Sequence, residues 1–352
     1  MEFLTYDTTL VALFGALGGI ALGLAARLGR FCTLGAIEDA LYGGSSERLR
    51  MWALAIGVAV LGSFTLLGLG LLDAGQAFYL TQPFSVLASI LGGLTFGYGM
   101  ALAGNCGFGA IARLGGGDLR SFVIVLVMGV STYVVLSGPL AALRVWAFPQ
   151  SGVADTPAGI AHGLGAYTGL SPIAIGLAIG ALICGAAFWR GPLLRAPKSA
   201  FWGAVVGLAI VSGWAGTSWV ANAGFDGLPV VSHTFSAPVG DAMLYAMLSS
   251  GLTLSFGVGS VVGVWIGAFV GSLIKGHFRW EACEDPRELR RQIFGAVLMG
   301  GGAVVAMGCT VGQGISAFSL LSYSAPVTLL AIFAGCAIGL RQLIEGFHRA
   351  LE

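Results

Sequence analysis

The sequence predicts an all-α, polytopic membrane protein: about nine transmembrane helices plus short re-entrant or half helices, built as an inverted repeat with pseudo-two-fold symmetry. Three observations predict this class. First, 57% of the 352 residues are hydrophobic and only 9% are charged, with a mean hydropathy of +0.90. A soluble domain carries roughly 25% charged residues, so lipid must be the solvent for most of this surface. Second, the apolar residues fall in runs of membrane-spanning length. Third, Lys and Arg concentrate in alternate connections. The net charge of +1, with no basic cluster, gives no sign of a nucleic-acid partner.

A span needs about 20 apolar residues. Nine runs qualify: 9–28, 51–72, 84–104, 121–143, 167–189, 200–222, 243–275, 292–308 and 326–346. The seventh is too long for one simple span, which implies a tilt, a bend, or a span plus part of another helix. With the N-terminus outside, the inward connections hold 16 of the 17 Lys and Arg residues; only Arg144 falls elsewhere. Lys and Arg bias sets orientation, so the expected topology is N-terminus outside and C-terminus cytoplasmic. Residues 1–8 are acidic and the first apolar run is long enough to span, so no cleaved signal peptide is expected. The chain reads as one integral membrane transport domain, 1–352, with halves near 9–190 and 200–346.

Gly is frequent, at 58 residues, and sits inside the apolar runs. Small residues let helix backbones approach in lipid. The halves also match weakly. A shift of 203 residues brings Gly92, Gly97, Gly99, Ala103, Cys106 and Gly109 onto Gly295, Gly300, Gly302, Ala306, Cys309 and Gly312. A shift of 184 brings Gly19, Gly23, Leu24, Ala25, Gly29 and Thr33 onto Gly203, Gly207, Leu208, Ala209, Gly213 and Thr217. The matched spans run in opposite directions, the pattern of inverted-repeat transporters.

One short pattern recurs after three apolar runs: Cys32-Thr-Leu-Gly35, Cys106-Gly-Phe-Gly109 and Cys309-Thr-Val-Gly312-Gln313. The segments that follow, Gly35–Tyr42, Gly109–Leu114 and Gly312–Leu321, are too short to span and read as half-helices. A half-helix N-terminus exposes unpaired N–H groups and a positive dipole end, which suits an anion. Broken helices at membrane depth are tolerated only where they line a cavity. A Cys there adds a polarizable S–H donor. Three such units can line one path for a sulfur-containing anion.

The remaining cysteines read differently. Cys184 and Cys336 lie mid-span without the motif and read as packing residues, and Cys283 lies in a charged loop. No C-x-x-C pair or zinc-like spacing is present, and no metal or cofactor is expected. Arg30 could attract an anion or anchor the inner face. Asn105 and Gln313 could donate hydrogen bonds or cap helix ends. Glu38 and Asp39 could touch the path or face water. His162 and His233 fall in outer loops, where solvent exposure is expected. With almost no ionisable residue at the centres of spans 2 to 9, a proton relay or a sodium-carboxylate site has little support.

The segments around Cys32 (Gly29-Arg-Phe-Cys-Thr-Leu-Gly-Ala), Cys106 (Ala103-Gly-Asn-Cys-Gly-Phe-Gly-Ala) and Cys309 (Met307-Gly-Cys-Thr-Val-Gly-Gln-Gly) resemble the YeeE/YedE family of membrane proteins. The resemblance runs from the first span to the ninth. It implies thiosulfate uptake through the bacterial inner membrane by an hourglass-shaped inverted repeat. It also implies that Cys32, Cys106 and Cys309 pass the ion by thiol hydrogen bonds without covalent change, so the protein is not an enzyme. Gly35, Gly109, Gly312, Arg30, Asn105 and Gln313 would support them. A small cytosolic sulfur-carrier protein of the TusA type is an implied partner, and none is fused after the ninth span. Relatives linked to selenium or other sulfur compounds keep the substrate open. A membrane thiol redox protein, or an enzyme forming a persulfide, is the competing reading. No Gly-x-x-x-x-Gly-Lys-Ser/Thr motif is present to hydrolyse ATP.

Overall fold

The computed structural model describes residues 2–149, 157–189, 191–224, 227–282 and 285–346. Cys283 and its surroundings lie outside the described residues. Among them the fold is all-helical; extended pairing is limited to isolated bridges such as Ala77 with Val230 and Asp118 with Glu281. The helices are α1 (Glu2–Leu28), α2 (Thr33–Leu41), α3 (Glu47–Gly68), α4 (Phe78–Thr81), α5 (Val86–Ala103), α6 (Gly107–Leu114), α7 (Leu119–Leu136) and α8 (Ala141–Ala147). They continue as α9 (Ile160–Thr168), α10 (Pro172–Phe188), α11 (Pro197–Ala223), α12 (Ala237–Leu248), α13 (Phe256–Ile274), α14 (Pro286–Val305) and α15 (Ser324–Glu345).

Among the described residues, seven helical stretches are long and apolar enough to cross a membrane: α1, which leads into α2, then α3, α5 leading into α6, α7, α11, α13 and α15. Two expected spans fall short of that measure. α10 has only 17 residues, and α14 opens on Pro286-Arg-Glu-Leu-Arg-Arg, so its apolar part is short. The long run 243–275 resolves into the second half of α12 and the whole of α13. Ser249-Ser-Gly251 breaks it, and Ser255 then caps α13 by accepting the Val258 N–H at 3.3 Å. The expected span 121–143 ends at Leu136, because Gly138-Pro139 cannot continue a helix.

Glycine contacts hold the bundle together. α1 and α13 run parallel, with Gly259, Gly263 and Gly267 against Ala12, Ala16 and Ile20; a Cβ on any of the three would strike the facing backbone oxygen. α5 and α15 also run parallel, Gly97 against Ile332 and Gly335 against Leu94. α5 and α14 are antiparallel, and Gly92 faces Gly302 while Gly99 faces Gly295. α3 runs parallel to α11 in the same manner, with Gly203 against Met51 and Gly207 against Ala55. Lipid tails are as apolar as Leu, so dispersion across such close backbones replaces the hydrophobic effect as the cohesive force.

Between these pairs pack four short or irregular segments with many buried residues: α2, α6, the turn-and-helix 309–319 and the segment 230–236. The third contains a π-helical stretch, Gly312–Ala317, and every residue of that stretch is buried. π-bulges concentrate at functional sites.

Candidate functional site

The three cysteine motifs adopt one local geometry. Each full helix stops at a residue with left-handed φ placed two positions before the Cys: Arg30 (φ 57°), Gly104 (φ 75°) and Met307 (φ 58°). That turn reverses the chain and starts the short helix at the Cys. Each thiol sulfur then accepts the N–H of the glycine three residues on. The distances are 3.5 Å for Gly35 to Cys32, 3.4 Å for Gly109 to Cys106 and 3.4 Å for Gly312 to Cys309. Cys32 and Cys106 are thus the N-caps of α2 and α6. The expected half-helices are present, with the sulfurs at their positive ends.

The cysteines are also neighbours. Cys106 lies within electrostatic range of both Cys32 and Cys309, and Thr310 sits beside it. The Thr33 hydroxyl reaches the Cys106 sulfur at 3.9 Å. Cys309 is held further by the Phe235 N–H at 3.3 Å and approached by the Thr234 hydroxyl at 3.7 Å. Cys106 and Cys309 are fully buried, whereas Cys32 is partly exposed. The described cysteines are free thiols.

An aromatic wall closes around them. Phe31 stacks on Trp52 at 4.7 Å, meets Phe108 edge-on at 6.5 Å, and Phe108 packs on Phe235 at 5.3 Å. One aromatic therefore comes from beside each cysteine: Phe31 before Cys32, Phe108 after Cys106, and Phe235 across from Cys309. Apolar rings lower the local dielectric, which strengthens polar contacts beside them.

The predicted supporting residues divide. Gly35 leaves space that the Arg48 guanidinium fills, and Arg48 pairs with Asp39 at 3.1 Å. Arg30 is exposed and serves as the turn residue. Gly109 has only ordinary contacts where a Cβ would sit, the nearest at 3.5 Å, while Gly312 abuts Thr234 and the Tyr79 hydroxyl. Gln313 caps the end of α14, donating to the carbonyls of Ala306 and Met307 at 3.0 and 3.1 Å and accepting from Ser324 at 3.0 Å. Asn105 is buried and makes one long bond to Ser121, at 3.5 Å. Glu38 is exposed.

One reading of these residues needs correcting. His233 is fully buried: its Nδ1 lies 2.6 Å from the Ser260 hydroxyl and its carbonyl accepts from Ser316 at 2.6 Å. It pins the segment that carries Thr234 and Phe235. Cys336 is buried on α15 as expected, but it lies within electrostatic range of Cys32 and Cys106. Cys184 packs against Gly57, away from the motif. Arg48, Tyr79, Thr234 and Phe235 had no motif to mark them, since their roles come from contacts across the chain.

Basic groups gather where α1 ends. Lys275 donates to the carbonyls of Arg27 and Leu28 at 2.6 and 3.3 Å, and Arg27 to that of Arg113 at 3.4 Å. Burial, then the nearby Arg30 and Arg27 cations, hold the Lys275 ammonium below the usual lysine range. At the opposite end Thr234 and Gly308, the neighbours of Cys309, line a cavity of about 510 Å³.

Fold and site together define a multi-span membrane protein with free cysteines where short helices start. The chain belongs to the family described as Sulphur transport, whose profile matches residues 28–338. It is 26% identical over 322 residues to the thiosulfate transporter TsuA of Spirochaeta thermophila, covering 89% of this chain and 94% of that protein. It is 25% identical over 369 residues to the thiosulfate transporter TsuA of Escherichia coli, covering 92% of each. Membership assigns it the transport of sulfur compounds.

Proposed function

We propose that this protein imports thiosulfate across the bacterial inner membrane, N-terminus outside and C-terminus cytoplasmic, without chemical change to the ion. The observation that carries the reading is the triple N–H to sulfur geometry at Cys32, Cys106 and Cys309. Each sulfur accepts a backbone N–H, and that of Cys309 a second from Phe235, which leaves the S–H to donate. Thiosulfate is a dianion whose desolvation is costly, and S–H donors with half-helix ends offset that cost. The path runs from the 510 Å³ cavity past Cys309, then Cys106, then Cys32, toward the basic groups at the end of α1. Three weak sites in series suit conduction, since the ion must also leave. Delivery to a TusA-type carrier belongs to the same proposal.

The fold part of the proposal is a nine-span inverted repeat, with α10 and α14 as the two short spans. What supports it is the pairing of equivalent contacts. The 203-residue shift carries Gly92 to Gly295 and Gly99 to Gly302, and the observed contacts are Gly92 with Gly302 and Gly99 with Gly295. An axis between α5 and α14 produces that crossed pairing. The parallel pairs α1–α13 and α3–α11 are likewise exchanged if α1 corresponds to α11.

The test is growth on thiosulfate as sole sulfur source in a host lacking its own sulfate and thiosulfate uptake. Wild type should support growth. Cys32→Ala, Cys106→Ala and Cys309→Ala should each lose it at equal membrane expression, while Cys184→Ala and Cys336→Ala keep it. A persulfide role predicts one essential nucleophile and a disulfide relay an essential pair, so loss at only one or two of the three cysteines sinks the path. Growth on another sulfur or selenium compound alone moves the substrate.

A further inference from the structure

Two of the three motif cysteines are followed directly by a threonine: Thr33 after Cys32 and Thr310 after Cys309. Both threonines are buried, at 1% and 0% exposure. A threonine in a helix commonly ties its hydroxyl to the carbonyl one turn back. Thr65, Thr95, Thr132 and Thr168 do so, bonding the carbonyls of Leu61, Leu91, Met128 and Leu164 at 2.7–2.8 Å. Neither motif threonine bonds in this way. For Thr310 the carbonyls three and four residues back are those of Met307 and Ala306. Gln313 already donates to both, at 3.1 and 3.0 Å. For Thr33 the corresponding carbonyls belong to Arg30 and Gly29, which precede α2 at the left-handed turn (φ 57° at Arg30).

Both side chains come instead to the middle cysteine. The Thr33 hydroxyl reaches the Cys106 sulfur at 3.9 Å, the long end for a sulfur acceptor. Thr310 sits beside the same cysteine, and its buried hydroxyl has no hydrogen-bond partner. Cys106 is itself followed by Gly107, where a Cβ would press on the Met128 side chain, so its own motif has no room for a hydroxyl. The first and third motifs thus supply the hydroxyls that the second lacks. A buried donor left unmatched is costly, and a ligand that completes it removes that cost.

We infer that Thr33 and Thr310 touch the passing ion at Cys106 and determine specificity there: their hydroxyls donate to its oxygens while the Cys106 thiol donates to its terminal sulfur. The inference rests on the import reading and adds a chemical filter to it. An O–H is a strong donor to an anionic oxygen, and a polarizable S–H suits a sulfur acceptor. Cys106 is fully buried, so protein donors must replace the ion's water at this point. A solute satisfies all three donors only if it carries oxygens and a terminal sulfur together.

The test is labelled-thiosulfate flux into proteoliposomes of the purified full chain, with the unfolding midpoint of each variant read in detergent. Thr33→Val and Thr310→Val keep the side-chain shape and remove the hydroxyl. Each should lower the maximal flux about tenfold, the scale of one hydrogen bond to a charged group. The half-saturating concentration should move by less than about twofold, because the contact lies beyond the point of entry. The pair together should lower flux about a hundredfold if the hydroxyls take separate oxygens. Thr33→Ser and Thr310→Ser, which restore a hydroxyl, should recover most of the flux. The Thr310→Val midpoint should not fall, since that hydroxyl has no partner to lose. Three results overturn the inference. In the first, either valine variant carries thiosulfate as fast as wild type, which leaves the import reading standing. In the second, the valine variants lose midpoint and flux together and serine restores neither, the mark of a structural role. In the third, wild type shows no flux, which removes the import reading and this inference with it.

Discussion

The breaks at Cys106 and Cys309 have the same shape and different materials. At Cys106 the left-handed turn is Gly104, which adopts φ 75° without steric penalty. The neighbouring Asn105 contributes little, with a single 3.5 Å bond to Ser121. At Cys309 the turn residue is Met307, at φ 58°. A non-Gly residue there costs roughly 1–2 kcal/mol. Gln313 offsets that cost by tying off two carbonyls at the end of α14. Phe235 and Thr234 then hold the sulfur from a distant segment. The Cys106 break is a local structure with a favourable residue at its turn. The Cys309 break is a strained turn imposed by tertiary contacts. What both preserve is the sulfur at a helix start with a glycine N–H pointed at it.

That contrast can be broken from either side. The largest effect is expected from Gln313→Ala, which leaves two buried carbonyls without their donor. Stability should fall by about 2–4 kcal/mol, at roughly 1–2 per lost partner, seen as a lower unfolding midpoint in detergent, and thiosulfate uptake should fall with it. Gly104→Ala comes next, at about 1–2 kcal/mol destabilising, because alanine cannot enter the left-handed region freely. An unchanged midpoint in Gly104→Ala would mean the turn at Cys106 relaxes, contrary to the local account.

Met307→Gly should act in the opposite direction. It removes the backbone strain and should raise stability by up to about 1 kcal/mol, less what the lost side-chain contacts contribute. The smallest effect is expected from Asn105→Ala, below about 1 kcal/mol, since its one hydrogen bond is long. If Asn105→Ala proved as costly as Gln313→Ala, the two breaks would be equally braced and the contrast would fail. Cys106→Ser separates capping from conduction: the hydroxyl keeps the N-cap, so stability should change by less than about 1 kcal/mol. Uptake should still drop, because a hydroxyl is a harder, more tightly hydrated group than a thiol.

Much of this was legible in order along the chain. The half-helices were visible because Cys-x-x-Gly followed an apolar run too closely for another span. Close glycine packing was legible from glycines placed inside the runs. The seventh run was legibly too long, although only Ser255, capping α13, fixed where it divides. The exposed reading of His233 failed for a physical reason. A polar residue between two apolar runs reads as a solvated loop, but the segment 230–236 folds back into the bundle, where Ser260 engages the His233 Nδ1 and Ser316 its carbonyl. Arg48, Thr234 and Phe235 were illegible for the same reason, as each acts on a cysteine motif through space.

The sequence by itself determined that lipid surrounds this chain, that its spans are helices, and that three cysteines stand where helices restart. Those properties follow from composition and from spacing within a few residues. Tertiary structure decided which cysteine neighbours which, which aromatic closes on each, and that Ser236 and Arg144 share a cavity with the approach to Cys309. Helix formation is a local hydrogen-bonding matter, whereas a path through the bundle exists only where segments far apart in the chain pack against one another.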